Sequence, residues 1–203
     1  EERRNTAYHE SGHALVAKAA PDGYTVLLAA AGPLVGTKMM AVVPYDPAKD
    51  FTAIAMVANL GVVLVSSTAF KPRSVPELIE HAKANPGKIN FASAGNGTVG
   101  HLAGELLKSM AQIKMEHVAY KGNGPAMTDL LGGHVQMLFS SMPSALPHIK
   151  SGMLRALVVT APQRSAAAPT IPSATEAGMP GFDVSTGFGL FAPAKTPRAV
   201  INR

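Results

Sequence analysis

The sequence contains no cysteine and no tryptophan, and aromatic residues make up only 5% of its 203 positions. The absence of cysteine excludes disulfides, zinc knuckles and thiol catalysis. The core must be assembled from Ala, Val, Leu, Ile and Met. Apolar runs such as Val26–Ala31 and Gly61–Val65 fall far short of a membrane span. Lys and Arg are scattered, apart from Arg3-Arg4, so the net charge of +5 forms no stripe suited to nucleic acid. A modest positive field suits anionic small ligands instead. The start, Glu1-Glu2-Arg3-Arg4, is charged and lacks an apolar segment behind it, so no signal peptide is read in this chain. What is present is globular in kind: 47% apolar against 15% charged residues, in a length that makes one ordinary domain or two small lobes.

With 19 Gly and 16 Pro, the chain is punctuated by many turns. Glu1–Ala19 reads as a helix stopped by Pro21-Asp22-Gly23. Tyr24–Ala30 reads as a strand, Phe51–Val57 as a weak strand and Val62–Ser66 as a clearer one. Ser74-Val75-Pro76-Glu77 is a strong helix start, with Ser74 as cap, Pro76 in the first turn and Glu77 three residues after the cap. Ile89–Ala94 is a strand, and Thr98 caps a helix whose apolar residues Val99, Leu102, Ala103, Leu106, Leu107 and Met110 share one face. The alternation continues with strands at Met115–Ala119, Val135–Phe139, Leu154–Thr160 and Val184–Phe191. Helices are expected at Pro125–Leu131 and Ala145–Lys150. Strands alternating with helices predict an α/β fold with mostly parallel sheet.

In such a sheet, ligands bind beyond the carboxyl ends of the strands. The loop Ser93-Ala94-Gly95-Asn96-Gly97-Thr98 sits at such a place. The helix after it offers unpaired amides and the positive end of its dipole, a natural seat for a carboxylate or phosphate. The plainer reading is a tight turn with a threonine cap. The spacing is neither a dinucleotide fingerprint nor a phosphate-binding P-loop. A second strand–glycine–helix loop, Tyr120-Lys121-Gly122-Asn123-Gly124-Pro125, repeats the pattern; Lys121 there either attracts an anion or is simply solvated.

Further segments form an ordered set with these loops. They are Ala17–Thr25, Pro44-Tyr45-Asp46-Pro47 with Asp50-Phe51, Phe91–Thr98, Tyr120-Lys121-Gly122 and Asp129–Gly133. Pro143–His148, Leu154–Leu157 and Gly189–Ala194 complete it. Together, from about Val16 to Arg203, they resemble the Bug (TctC-type) extracytoplasmic solute receptors of tripartite tricarboxylate transporters. The resemblance implies a two-lobed, periplasmic-binding-protein-like (type II) α/β fold, here truncated and preceded by an N-terminal helix. One lobe would hold residues 18–90 and 186–203, the other 91–185, with crossings near Phe91–Ser93 and Ser185–Gly187. It implies a periplasmic location, a small carboxylate ligand, a membrane permease as partner, and neither catalysis nor a cofactor. Ligand-binding residues would be Ser93, Ala94, Gly95, Asn96, Gly97, Thr98, Lys121, Gly122, Ser140, Ser141 and Gly187. Ser140-Ser141 stands where the family often has an Asp-Asn or similar polar pair, and Gly187 where a bulky aromatic is usual. The family's first strand, its first glycine-rich loop and its C-terminal helix region find no counterpart, and Thr196-Pro197-Arg198 opens a helix cut short at Arg203; both features suggest a fragment.

The sharpest local motif lies at the other end: His9-Glu10-Ser11-Gly12-His13. Residues four apart on a helix lie about 40° apart around its axis, so both imidazoles can reach one ion. Zinc catalysis would need a further protein ligand and an open water position, with Glu10 as base. Residues 2–17 resemble the zinc helix of the membrane-anchored, ATP-dependent FtsH proteases, in which His9 and His13 would ligate zinc. The remaining domains of that family are missing, since the receptor pattern takes over by Lys18. Residues 1–17 therefore read as a protease-like segment joined to a receptor, or as an exposed helix with two solvated histidines. The remaining histidines, His81, His101, His117, His134 and His148, show no paired spacing and read as surface or core residues. Three alternatives stand: a carboxylate receptor, a zinc metallopeptidase, and a non-functional fusion fragment.

Overall fold

The computed structural model describes residues 12–30, 34, 36 and 42–202. Among them the chain forms two compact units, and each is built around its own part of the long strand β2 (Phe51–Ser67). Unit 1 takes the described residues up to Asn59 together with those from Thr186 onward; unit 2 is Leu60–Ser185. The sequence reading expects two separate strands in this region, ending near Val57 and resuming at Val62. The turn-favouring Asn59 and Gly61 both stay extended here. β2 therefore runs unbroken from one unit into the other.

The first crossing lies at Asn59/Leu60, not near Phe91–Ser93. β3 (Asn90–Ser93) lies wholly within unit 2, as do its pairing partners on both sides. Residues 60–90, assigned by the sequence to the first lobe, put Val62, Leu64, Val75, Leu78, Ala82 and Ile89 into the core of unit 2. The second passage is the start of β7 (Ser185–Pro193).

In unit 2 the second half of β2 lies between β5 (Met137–Ser141) and β6 (Leu154–Val159), antiparallel to both. β3 lies between β5 and β4 (Glu116–Ala119), parallel to both. The helices are α1 (Val75–Ala84), α2 (Val99–Ala111), α3 (Asn123–Leu131) and α4 (Met142–Lys150). The period of two along each strand sorts its residues between two cores. Val62, Leu64, Phe91, Met137 and Phe139 pack under α1 and α2. Val63, Val65, Ala92 and Leu138 pack under α3 and α4. Burial on both faces explains the unbroken apolar runs Val62–Val65 and Met137–Phe139.

The caps behave as the sequence suggests at α1: Ser74 Oγ accepts the Glu77 amide at 3.3 Å, and Glu77 reaches back to the Arg73 amide at 2.9 Å. α3 and α4 start earlier than their apolar periodicity indicates, at Asn123 and Met142. Pro125 and Pro143 fall in the first turns, where a missing N–H is no loss.

Unit 1 holds β1 (Leu27–Ala30), paired antiparallel with β7 from Leu27↔Phe191 to Ala30↔Phe188. Its core joins Ala29, Leu34, Tyr45 and Phe51, with Phe191 against Phe51 at 6.5 Å between ring centroids. The sequence expects a helix over Glu1–Ala19; within the described residues it covers 12–17. A last short helix, α5 (Arg198–Ile201), follows Pro197.

Two glycines set the distance between α2 and the sheet. A Cβ on Gly100 would stand 2.8 Å from the Phe139 carbonyl oxygen and 3.3 Å from Ser93 Cβ, and one on Gly104 would overlap the Phe91 ring. Gly→Ala inside a helix ordinarily gains about 1 kcal/mol. At Gly104 the fully buried Phe91 has nowhere to go, and overpacking costs about 1–3 kcal/mol. Gly104→Ala is therefore expected to lower stability by up to about 2 kcal/mol. Urea unfolding monitored by circular dichroism checks the sign.

Candidate functional site

Because β4 and β5 both run parallel to β3, the loops leaving these three strands emerge at the same edge of the sheet. Each loop opens directly into a helix: Ser93–Thr98 into α2, Tyr120–Gly122 into α3, and Ser140-Ser141 into α4. Three helix N-termini therefore share one edge, each with amides that no helix residue can satisfy. The loops are bonded to one another. The Gly122 amide donates to the Ala94 carbonyl at 2.9 Å, and Asn123 Nδ2 donates to Ser140 Oγ at 2.9 Å. Ser140 Oγ in turn donates to the Ser141 carbonyl at 3.2 Å.

The first loop spends its carbonyl inward. Gly95 O accepts from Thr98 Oγ1 at 2.7 Å, from Ser93 Oγ at 3.0 Å and from the Thr98 amide at 3.3 Å. The backbone reaches this shape through φ of +143° at Gly95 and +74° at Gly97, which only glycine adopts without strain. Thr98 occupies the cap position of α2, but its hydroxyl makes no cap bond, a departure from the sequence reading. Turned toward Gly95 O, it leaves the helix start open. Among the described residues the amides of Asn96, Val99 and Gly100 have no protein acceptor. Open amides at a helix start are suited to accepting an anion.

Of the residues named from the sequence, Ser93–Thr98, Lys121, Gly122, Ser140 and Ser141 come together at this edge. Ser93, Gly97 and Ser140 are buried there, while Asn96 and Lys121 are exposed. Gly187 belongs to unit 1, on β7 beside Met56. Asn123 was not singled out in the sequence, although an Asn directly after a glycine loop at a helix start was a usable signal.

Two histidines passed over for lack of paired spacing are partners in space. His101 and His117 stack with centroids 4.1 Å apart and planes inclined by 14°, and Phe91 lies on the other side of His117 at 5.0 Å. His117 Nε2 is 2.7 Å from Ser93 Oγ, and His101 Nδ1 accepts the Gly97 amide at 3.0 Å. One from a strand and one from a helix, they had no sequence spacing to betray them. Burial first, and then the neighbouring His101, hold His117 down from 6.5 to about 4; Glu105 pulls the other way, and the Lys108 ammonium adds the smallest lowering.

Of the zinc motif, His9 and Glu10 lie outside the described residues. His13 is 3% exposed and bonded to Tyr45 Oη at 3.1 Å, so it is a packed residue of unit 1 rather than a solvated one. Among the described residues no three His, Asp or Glu side chains gather as a metal site would need.

Glycine-loop amides presented at the carboxyl ends of the parallel strands β3, β4 and β5 suit an α/β solute-binding protein, and the comparisons agree. The sequence profile described as "Tripartite tricarboxylate transporter family receptor" matches residues 2–203, and the chain belongs to that TctC family. Protein BugT of Bordetella pertussis is 40% identical over 187 residues, covering 91% of this chain and 57% of BugT. Rpa4515 of R. palustris, solved with adipate, superposes with a TM-score of 0.89 at 30% identity, covering 95% of this chain and 65% of that one. MatC of Rhodopseudomonas palustris, solved with bound malate, gives 0.84 at 32%, covering 95% and 66%. The chain thus spans under two thirds of the length of these relatives. The family match begins ahead of Val16 and takes in His9–His13, so nothing in it supports a protease segment joined to a receptor.

The depressed His117 fixes a pH dependence. Between about pH 4 and 6.5 the unfolded chain binds a proton at this ring and the folded chain does not, so stability rises with pH across that window. His117→Phe, which keeps the stack and cannot titrate, is expected to show a shallower loss of melting temperature on acidification from pH 6.5 to 4. Parallel melting curves would refute the assignment.

Proposed function

We propose that the chain is the solute-binding part of a periplasmic receptor that delivers a small carboxylate to the permease of a tripartite transporter, without catalysis and without a cofactor. The carrying observation is the cluster of three helix N-termini at the β3–β4–β5 edge, tied to one another by the Gly122–Ala94 and Asn123–Ser140 bonds. Family membership supports the receptor role. Relatives solved with adipate and malate support a carboxylate as ligand.

Each residue has a distinct part in this reading. The amides of Asn96, Val99 and Gly100 take one carboxylate group. Ser93, Ala94, Gly95 and Thr98 hold the turn that presents them. Asn123 and the Ser140–Ser141 pair offer neutral donors and acceptors to the rest of the ligand. Exposed Lys121 and Gly122 line the second loop.

Thermal shift and calorimetry with malate, succinate, adipate and citrate test this. A ligand at about 100 times its Kd raises stability by about 2.7 kcal/mol. At least one of these acids is expected to raise the melting temperature at millimolar concentration. Asn123→Asp sets a negative charge against the carboxylate and is expected to weaken binding roughly tenfold or more, as like charges brought together cost on the order of 1 kcal/mol or more. If no acid shifts the melt, the receptor reading fails; if Asn123→Asp binds as well as the parent, the ligand is not at this edge.

A further inference from the structure

Two contacts reach the glycine loop from behind, and both come from histidines. His117, on β4, meets Ser93 Oγ at 2.7 Å; Ser93 in turn accepts the Gly95 amide at 3.2 Å and donates to the Gly95 carbonyl at 3.0 Å. All three contacts are satisfied at once when neutral His117 carries its proton on Nε2. His101, in the first turn of α2, accepts the Gly97 amide with Nδ1 at 3.0 Å. A side chain at the third helical position reaching back to an amide before the helix resembles one half of a capping box, displaced by one residue from the cap amide and with imidazole in place of the usual Glu or Gln. The two rings stack at 4.1 Å, and Phe91 supports the stack from the core. Glu105 and Lys108, one to two turns along α2, are the charged side chains beside it. Glu105 Oε1 is 3.9 Å from His101 Nε2 and 2.8 Å from Lys108 Nζ, and Lys108 Nζ lies 5.9 Å above the Phe91 ring.

We propose that His101 and His117 are positioning residues that fix the Gly95–Thr98 turn in its anion-accepting shape before any ligand arrives. The proposal rests on the receptor reading of that turn and adds the device that pre-organises it. Neither ring needs to touch the ligand. His117 orients Ser93, and through it both polar groups of Gly95. His101 fixes Gly97, leaving the Asn96 amide between two anchored peptides. A turn ordered in advance spares the ligand the entropy of ordering it, which is gained as affinity. The low proton affinity of His117 keeps that ring neutral at ordinary pH.

The test uses the full chain with His101→Leu, His101→Gln and His117→Phe, and reads amide hydrogen exchange at Gly95–Thr98 by NMR without ligand. His101→Leu is expected to speed exchange of the Gly97 amide at least about tenfold, the equivalent of one hydrogen bond of about 1.4 kcal/mol. His101→Gln, which supplies an acceptor at the same reach, is expected to restore most of the protection. His117→Phe is expected to speed exchange at Gly95 while leaving Gly97 protected. In a second arm, adipate titrated by calorimetry is expected to bind roughly tenfold more weakly to His101→Leu than to the parent, with recovery in His101→Gln. Unchanged exchange in His101→Leu, or a loss that Gln does not restore, overturns the positioning role. If adipate fails to bind the parent while the exchange pattern holds, the adipate assignment and not the positioning of the turn is at fault.

Discussion

The site depends on the parallel pairing of β3 with its two neighbours. A parallel strand cannot be joined to the next by a hairpin; the chain must return along the sheet face, and here it returns as a helix each time. Phe91 and Ala92 face opposite cores, as do Met137 and Leu138. This double burial holds β3 and β5 in the interior of the sheet and fixes their direction. Three short loops then open into α2, α3 and α4 along one edge. The dipoles add at that edge because the strands point the same way. An antiparallel partner on either side of β3 would have sent one helix start to the opposite end.

A second constraint is closeness. Gly100 and Gly104 bring α2 down onto β3 and β5, within a distance that any Cβ would violate. That approach carries His101 onto His117 and so allows a helix residue and a strand residue to anchor one loop from two sides. The Phe91–His117–His101 stack is therefore continuous with the hydrophobic core at one end and with the glycine turn at the other. Polar geometry at the loop inherits the rigidity of the packing beneath it, because buried aromatic rings have few places to move.

Much of this was legible in the sequence. The alternation of elements, the Ser74–Glu77 capping pattern and the Ser93–Thr98 turn all rest on local signals, and local signals survive into the fold. The crossing of β2 was not legible, because two apolar segments joined by Ala58-Asn59-Leu60-Gly61 read equally well as one strand or two. Only the pairing partners decide, and those lie far along the chain. Thr98 was legible as the cap position but not in its bonding: the competing acceptor, Gly95 O, exists only once the glycine turn has formed. His101 and His117 were missed for the same reason, since their proximity is created by parallel pairing and by two glycines one helical turn apart.

The character of the seat follows from what it is made of. Its donors are backbone amides at a helix start, and the flanking side chains Ser93, Thr98, Asn123 and Ser140 are neutral. The exposed Lys121 is screened by salt within a Debye length of about 8 Å, whereas dipoles fixed in a partly buried turn are screened less. Neutral donors discriminate by direction as well as by charge. A carboxylate with two oxygens in one plane can accept from adjacent amides, while a point anion gains from one or two of them only. For the proposed receptor, which must also release its cargo, this choice is a gain. A buried fixed cation would lose its partner on release and face the cost of an unpaired charge; an amide returned to water finds a new partner at once.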